Sequence, residues 1–277
     1  MDEIWNSFPF DGWEVVLIVV AGLWAGLINT IVGSGTLVTF PVLVTMGIAP
    51  VTATMSNAMG LIAGNITGAW GYRSKLRGVE RTLYRLIPCS VLGGAVGAVL
   101  LMQLPEEIFS YVAPGLIVVA LGFVIFQPRL QSFVQARKNA SATPHSFVPE
   151  THTARDQQPL ILYVLVFCAG VYGGYFVAAQ GVLLLGILGV FLAGSLQTAN
   201  AVKTVLVTVV NIIAALSYVI FAHDRINWWV VALIAVSSAV GSWAGAKVGQ
   251  RLSPVALRCI IVALGVVALG NMIRQLL

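Results

Sequence analysis

An apolar stretch interrupted by glycines and small polar residues occurs twice in the chain. The first copy spans residues 21–36 and contains Gly33-Ser34-Gly35, and the second spans residues 169–181 and ends on Gln180-Gly181. Both copies open on Ala-Gly and then place an aromatic residue and two glycines at matching positions. The apolar runs around them continue past the length of a buried helix in a soluble protein. We therefore interpret both copies as interrupted membrane segments.

The composition supports a membrane location. Hydrophobic residues make up 58% of the chain and charged residues 9%, and the mean hydropathy is +0.94, which is typical of an integral membrane protein. The net charge of +5 comes from basic residues between apolar segments, so we expect a lipid bilayer and no nucleic acid as partner. Cys89, Cys168 and Cys259 are single residues without metal or redox spacing, and we expect no cofactor and no metal site.

The apolar segments form two groups of five, separated by a polar stretch. The first group lies at 13–32, 36–48, 51–71, 86–103 and 108–127, and the second at 159–179, 182–194, 197–221, 227–249 and 255–276. The second segment of each group is too short to cross a hydrocarbon core of ~30 Å as a helix. We therefore expect the first two segments of each group to be broken or re-entrant, meeting at Gly33-Ser34-Gly35 and at Gln180-Gly181.

The two groups are internal repeats of each other. Asn65 and Tyr72 in the third segment match Asn211 and Tyr218, and glycines recur at matching positions in the fourth segments. If the first two segments return to their own side, each group crosses the membrane three times and the groups insert in opposite orientations. The prediction is an all-α integral membrane protein with two inverted-topology repeats, residues 1–127 and 159–277, whose broken or re-entrant helices meet near the midplane. Residues 128–158 are predicted to form a linker loop.

Lysine and arginine are concentrated in the loop at 73–85 and in the central loop, which predicts that both are cytoplasmic. The turn Pro105-Glu106-Glu107 and the acidic N-terminus contain no basic residue and are predicted to lie outside. The start of the chain also lacks the basic region of a signal peptide, so we expect it to remain attached.

Polar residues inside the apolar segments are the candidates for a substrate site, because burying them in a membrane is costly. The residues predicted to bind substrate are Asn29, Thr30, Gly33, Ser34, Gly35, Asn57, Asn65, Gln180, Gly181, Asn200, Lys203, Thr204 and Asn211.

Lys203 is the only charged residue between Pro159 and Ala222, and all ten acidic residues lie outside the apolar segments or at their margins. A lysine at this depth without a carboxylate suits a small anionic substrate, held also by amide and hydroxyl donors and by the N-terminal ends of broken helices. The alternative is that its side chain extends to the membrane interface.

The same absence of interior carboxylates leaves the coupling mechanism open. Proton-driven carriers usually relay protons through buried carboxylates or histidines. A proton could instead travel on the substrate, the protein could act as a facilitator, or unwound backbone carbonyls at the breaks could coordinate a cation.

Residues 26–41, with Asn29, Gly33-Ser34-Gly35 and Pro41, are followed by Ala53-Thr54-Met55-Ser56-Asn57 and by a basic loop after Tyr72-Arg73. This arrangement resembles the TauE/SafE family of membrane transporters, also called the sulfite exporter or TSUP group. The resemblance implies transport of small sulfur-containing anions of the sulfite, sulfonate or sulfoacetate type across a bacterial or archaeal inner membrane, with export as the expected direction.

Other functions stay open beside this resemblance. One alternative is a transporter or uptake permease for another small anion such as a carboxylate, and another is a non-transporting membrane scaffold. No nucleophile, metal-ligand group or carboxylate pair is evident in the apolar segments, so we do not expect an enzyme. The sequence leaves open whether the chain forms a homo-oligomer.

Overall fold

The computed structural model describes residues 10–103, 105–140, 158–192 and 195–248, and scattered residues from 259 to 274. All regular elements in these ranges are helical. In chain order they are α1 (Gly12–Ile31), α2 (Thr36–Thr45), α3 (Pro50–Gly71), α4 (Glu80–Gln103), α5 (Glu106–Ala140), α6 (Leu160–Tyr175), α7 (Gln180–Phe191), α8 (Leu196–Phe221) and α9 (Trp228–Val248), with short 3₁₀ turns at Arg73–Leu76 and His223–Arg225.

Helix length and hydropathy identify the chain as a multi-pass membrane protein. Five of the described helices, α1, α4, α5, α8 and α9, are long and apolar enough to span a bilayer. The helices α2, α6 and α7 are apolar but shorter. Helix α3 is long, but it buries Thr54, Ser56, Asn57 and Asn65, and these polar residues lower its hydropathy. The prediction of an all-α integral membrane protein is confirmed.

The first interruption lies where the sequence predicts it. Helix α1 ends at Ile31 and α2 begins at Thr36, and between them Gly33 adopts a left-handed conformation with φ of +93°, which glycine accepts without steric cost. The chain then folds back on α1, because the Gly35 N–H donates a hydrogen bond of 3.3 Å to the Asn29 side chain. The short α2 therefore starts beside the end of α1.

The second interruption lies a few residues before its predicted position. Helix α6 ends at Tyr175 and α7 begins at Gln180. The prediction that the break lies at Gln180-Gly181 is therefore wrong, because these two residues start the second helix. Val177 and Ala179 adopt left-handed φ angles of 66° and 59°. Such angles are unfavourable for residues with a Cβ and persist only when the surroundings enforce them. Both side chains are buried.

Helix α5 is longer than its apolar segment. It continues through Pro128 to Ala140, so residues 128–140, predicted as part of a linker loop, are helical. After Pro128 the sequence is rich in Leu, Gln, Arg, Lys and Ala, which have good helix propensity. The remaining predicted linker residues up to 157 lie outside the described part of the chain.

The two repeats exchange helices. The first helix of each repeat packs against the fourth helix of the other, α1 with α9 and α6 with α4. The third helices follow the same rule, because α3 packs against α9 and α8 against α4. This reciprocal pattern is expected of two related halves. Their opposite orientation in the membrane stays a prediction.

Glycines allow the close approach of the exchanged helices. A Cβ on Gly97 of α4 would lie 2.9 Å from the carbonyl carbon of Gly174 in α6, and one on Gly245 of α9 would lie 3.0 Å from the Leu27 carbonyl oxygen of α1. Ser242 of α9 also donates a hydrogen bond of 3.0 Å to the Gly26 carbonyl. Small residues at these positions let the backbones pack directly, as in other membrane helix pairs.

Candidate functional site

A hydrogen-bond network organises the first break. The Asn29 amide donates to the Asn65 side-chain oxygen, which links the end of α1 to α3. The Asn29 side-chain oxygen in turn accepts from the Gly35 N–H. Asn29 therefore connects α1, the start of α2 and α3 through one side chain.

Two side chains of α8 reach the C-terminal end of α1. The last carbonyls of a helix lack partners within the helix. Lys203 donates a hydrogen bond of 3.2 Å from Nζ to the Asn29 carbonyl, and Asn200 donates one of 3.1 Å from Nδ2 to the Thr30 carbonyl. The preceding Ile28 carbonyl accepts from the Val32 and Gly33 N–H groups. The second repeat thus satisfies backbone acceptors at the break of the first.

The buried position of Lys203 bears on how its charge is accommodated. Its side chain is 1% exposed and its ammonium group donates to the Asn29 carbonyl, so it is enclosed by the protein. No carboxylate is buried among the described residues. Lys247 differs, because it is exposed near the end of α9 and its Nζ lies 3.9 Å from the centre of the Trp243 ring.

The two breaks touch through their glycines. A Cβ on Gly33 would lie 2.8 Å from the Gly181 carbonyl carbon, and one on Gly181 would lie 2.6 Å from the Gly33 carbonyl oxygen. Gln180 precedes this contact and is fully buried, with its carboxamide against Gly173 of α6. The contact brings Gln180 and Gly181 of the second repeat to the first break.

Several buried polar atoms of the predicted site residues lack a protein partner in the described part of the chain. Buried polar groups are nearly always hydrogen-bonded, so each exception needs an explanation. The exceptions among the predicted site residues are Ser34 Oγ, Asn65 Nδ2, both polar atoms of Gln180, Asn200 Oδ1 and both polar atoms of Asn211. We call Asn29, Ser34, Asn65, Gln180, Asn200 and Lys203 the polar cluster. It combines an ammonium group with amides and a hydroxyl.

Four predicted residues have other roles or positions. Asn57 is hydrogen-bonded to Thr36 and Thr39 of α2, so it joins α2 to α3. Thr204 donates its hydroxyl hydrogen to the Asn200 carbonyl in its own helix, as Thr30 does to Gly26. Asn211 lies about 12 Å farther along α8 than Lys203 by helical rise, and no side-chain hydrogen bond joins it to the polar cluster among the described residues.

The structure adds a residue that the site prediction omitted. The Tyr218 hydroxyl donates a hydrogen bond of 2.9 Å to the Gly174 carbonyl near the end of α6. The repeat alignment matches Tyr218 to Tyr72, but that match gives no role. Thus α8 satisfies terminal carbonyls of both interrupted helices, α1 through Lys203 and Asn200 and α6 through Tyr218.

A separate cavity of about 620 Å³ lies between α5, α6 and α7. Its walls are apolar and include Phe123, Phe126, Leu183 and Ile187, with Arg129 as the charged residue of the lining. Such walls suit a hydrocarbon chain better than a small anion. The polar cluster is therefore the candidate substrate site.

Comparison with known proteins agrees with this architecture. The chain matches the family described as "Sulfite exporter TauE/SafE" over residues 18–272. It is also 26% identical over 116 residues to a "Probable membrane transporter protein" of Haemophilus influenzae, a match that covers 42% of this chain and 46% of the relative. The chain thus matches less than half the length of that relative. The resemblance seen in the sequence is confirmed by the family match, and the chain belongs to the sulfite exporter TauE/SafE family of membrane transporters.

Proposed function

We propose that the protein is a secondary transporter of small sulfur-containing anions of the sulfite, sulfonate or sulfoacetate type, with export as its direction. The observation that carries the proposal is the buried Lys203 ammonium on the Asn29 carbonyl, at a break whose side chains include polar atoms without protein partners among the described residues. Family membership and the printed name of the H. influenzae relative support membrane transport.

The chemistry of the polar cluster favours an oxyanion. The Lys203 ammonium group has more N–H donors than the one used on the Asn29 carbonyl. Within the described part of the chain, donors without protein partners are present at Asn65 Nδ2, Gln180 Nε2 and Ser34 Oγ. Hydrogen bonds from such groups to an anion are charge-assisted and are stronger than hydrogen bonds between neutral groups. An anion bound here would also supply the counter-charge that the buried lysine needs.

The cluster also contains acceptors, Gln180 Oε1 and Asn200 Oδ1, without protein partners among the described residues. These atoms suit an anion that carries a hydroxyl or amino group, such as bisulfite, isethionate or taurine. The helices α2 and α7 begin beside the cluster at the two breaks, and helix N-termini favour negative charge. Transport of another small anion, such as a carboxylate, uptake, or a scaffold role are the alternatives.

The proposal is tested by thermal unfolding of the purified protein with sulfite, sulfate, thiosulfate, taurine, sulfoacetate, isethionate and simple carboxylates. A ligand that binds only the folded state raises the unfolding temperature by mass action. We expect a shift with a sulfur oxyanion or sulfonate, and transport of the same anion in proteoliposomes. A shift with carboxylates alone would show that the substrate is a carboxylate and not a sulfur-containing anion. No shift with any anion would contradict the proposal.

Two matched variants connect binding to the polar cluster. In Lys203→Met the shift should disappear, because the variant loses a charge-assisted hydrogen bond worth about 1.5–3 kcal/mol. In Lys247→Met, the same substitution at the exposed lysine on Trp243, the shift should remain. If both variants respond like wild type, Lys203 does not contact the anion.

A further inference from the structure

The C-terminal end of α1 is a place where a cation would be expected. A helix C-terminus carries partial negative charge on its unpaired carbonyls. In transporters with broken helices, such ends and the unwound carbonyls beside them coordinate the coupling cation. The sequence alone leaves that coordination open for this chain.

In the structure, α8 provides partners for two of these carbonyls. The Asn29 carbonyl accepts from Lys203 Nζ at 3.2 Å, and the Thr30 carbonyl accepts from Asn200 Nδ2 at 3.1 Å. The Ile28 carbonyl is bonded to backbone N–H groups. An alkali cation that used the Asn29 carbonyl would share that oxygen with the ammonium group of a side chain that is 1% exposed, and two positive charges at one carbonyl repel each other.

We propose that the Lys203 ammonium group is a tethered cation that takes the place of an alkali coupling ion at the first break, so that the anion binds without Na⁺ or K⁺. The inference rests on the proposed function, because it assigns the ammonium group a second neighbour, the anion. It stands on the contact between Lys203 and the end of α1 and on the burial of the Lys203 side chain.

Charge balance follows from this arrangement. A single positive charge lies between the negative end of α1 and the position of the anion. A free cation at this point would bind and leave with each transport cycle, whereas the lysine side chain stays with the protein. The anion therefore binds to a site whose positive charge is present beforehand, and its affinity does not depend on the concentration of alkali ions.

The test measures the affinity of the wild-type protein for sulfite and isethionate as N-methylglucamine salts, by calorimetry. Identical titrations are run at constant ionic strength in the chlorides of N-methylglucamine, potassium and sodium. We expect Kd to change less than twofold among the three. A Kd that falls tenfold or more in sodium or potassium overturns the inference but leaves the proposed function standing. Absence of binding in all three salts contradicts the proposed function, and the inference fails with it.

A variant tests the tethered charge directly. Lys203→Ala should weaken sulfite binding at least tenfold, and propylammonium should restore part of the affinity by supplying the missing ammonium group. Lys247→Ala should bind sulfite like wild type and not respond to the amine. A folded Lys203→Ala variant that keeps wild-type sulfite affinity in alkali-free buffer overturns the inference. The inference is also overturned if the variant binds sulfite weakly and no added cation, propylammonium included, restores its affinity. If Lys203→Ala does not fold, the wild-type salt comparison still decides.

Discussion

Gly33 and Gly181 lie in direct backbone contact where the two interrupted segments of the molecule meet. A Cβ added to either residue would come within 3 Å of the other glycine's backbone, closer than side chains tolerate. The contact joins a residue of the first repeat to one of the second. It brings Gln180 to the first break, where Lys203 donates a hydrogen bond to the Asn29 carbonyl. Only glycine at both positions allows this approach.

Replacing Gly181 by alanine should separate the two breaks. The added Cβ would meet the backbone of Gly33, which cannot move aside as a side chain can, and such overpacking costs about 1–3 kcal/mol. We expect a lower unfolding temperature and weaker sulfite binding. The control is Gly122→Ala in α5, where a Cβ would have no neighbour within 4 Å. Equal behaviour of the two variants would contradict the close contact.

Gln180→Leu should separate stability from binding. Both polar atoms of Gln180 are buried without protein partners in the described part of the chain, so an apolar side chain of similar size removes a desolvation cost. We expect the unfolding temperature to stay equal or rise, and sulfite affinity to fall about tenfold. Calorimetry with thermal unfolding checks both. Unchanged affinity in a stable variant would remove Gln180 from the site.

Asn57→Ala should show the opposite behaviour. Asn57 bonds Thr36 and Thr39, so its loss leaves two buried hydroxyls without their partner and costs about 2–3 kcal/mol. Sulfite affinity of the folded fraction should change less than twofold. Thr67→Ala on the same helix is the control, because Thr67 bonds only the Ala63 carbonyl of that helix among the described residues. A selective loss of affinity in Asn57→Ala would return this residue to the substrate site.

Alanine substitutions at glycines between packed helices should lower the unfolding temperature more where the added Cβ lies closer to the neighbouring helix. At Gly97 the nearest atom to an added Cβ is the Val171 carbonyl oxygen at 2.2 Å, whereas at Gly245 it is the Leu27 carbonyl oxygen at 3.0 Å. Gly97→Ala should therefore lower the unfolding temperature by several degrees more than Gly245→Ala. The reverse order would contradict the close contact between Gly97 of α4 and the Val171 carbonyl of α6.

The sequence predicts those features whose causes are local. Glycines spaced for close helix contact and apolar runs too short to span a bilayer are visible as patterns, and the helices and the first break follow them. The second break is displaced because Val177 and Ala179 carry its left-handed angles, and neither residue type signals such a conformation. The helical extension to Ala140 is missed because a polar stretch after Pro128 has the composition of a loop as well as of a helix.

The site is harder to predict because its contacts are long-range. Lys203 and Asn29 are 174 residues apart in the chain, and no local pattern shows that an ammonium group reaches a particular carbonyl. Burial cost alone selects the polar residues, but it does not separate Asn57, whose side chain bonds Thr36 and Thr39, from Gln180, whose side chain has no partner among the described residues. That distinction needs the positions of their neighbours.

The exchange of first and fourth helices has a consequence for assembly during synthesis. When the first repeat has left the ribosome, α1 presents its glycine-lined face before α9 has been made, and α4 waits in the same way for α6. Each half therefore stays incomplete in the membrane until the other arrives. We therefore expect two separately expressed halves to be stable only as a pair.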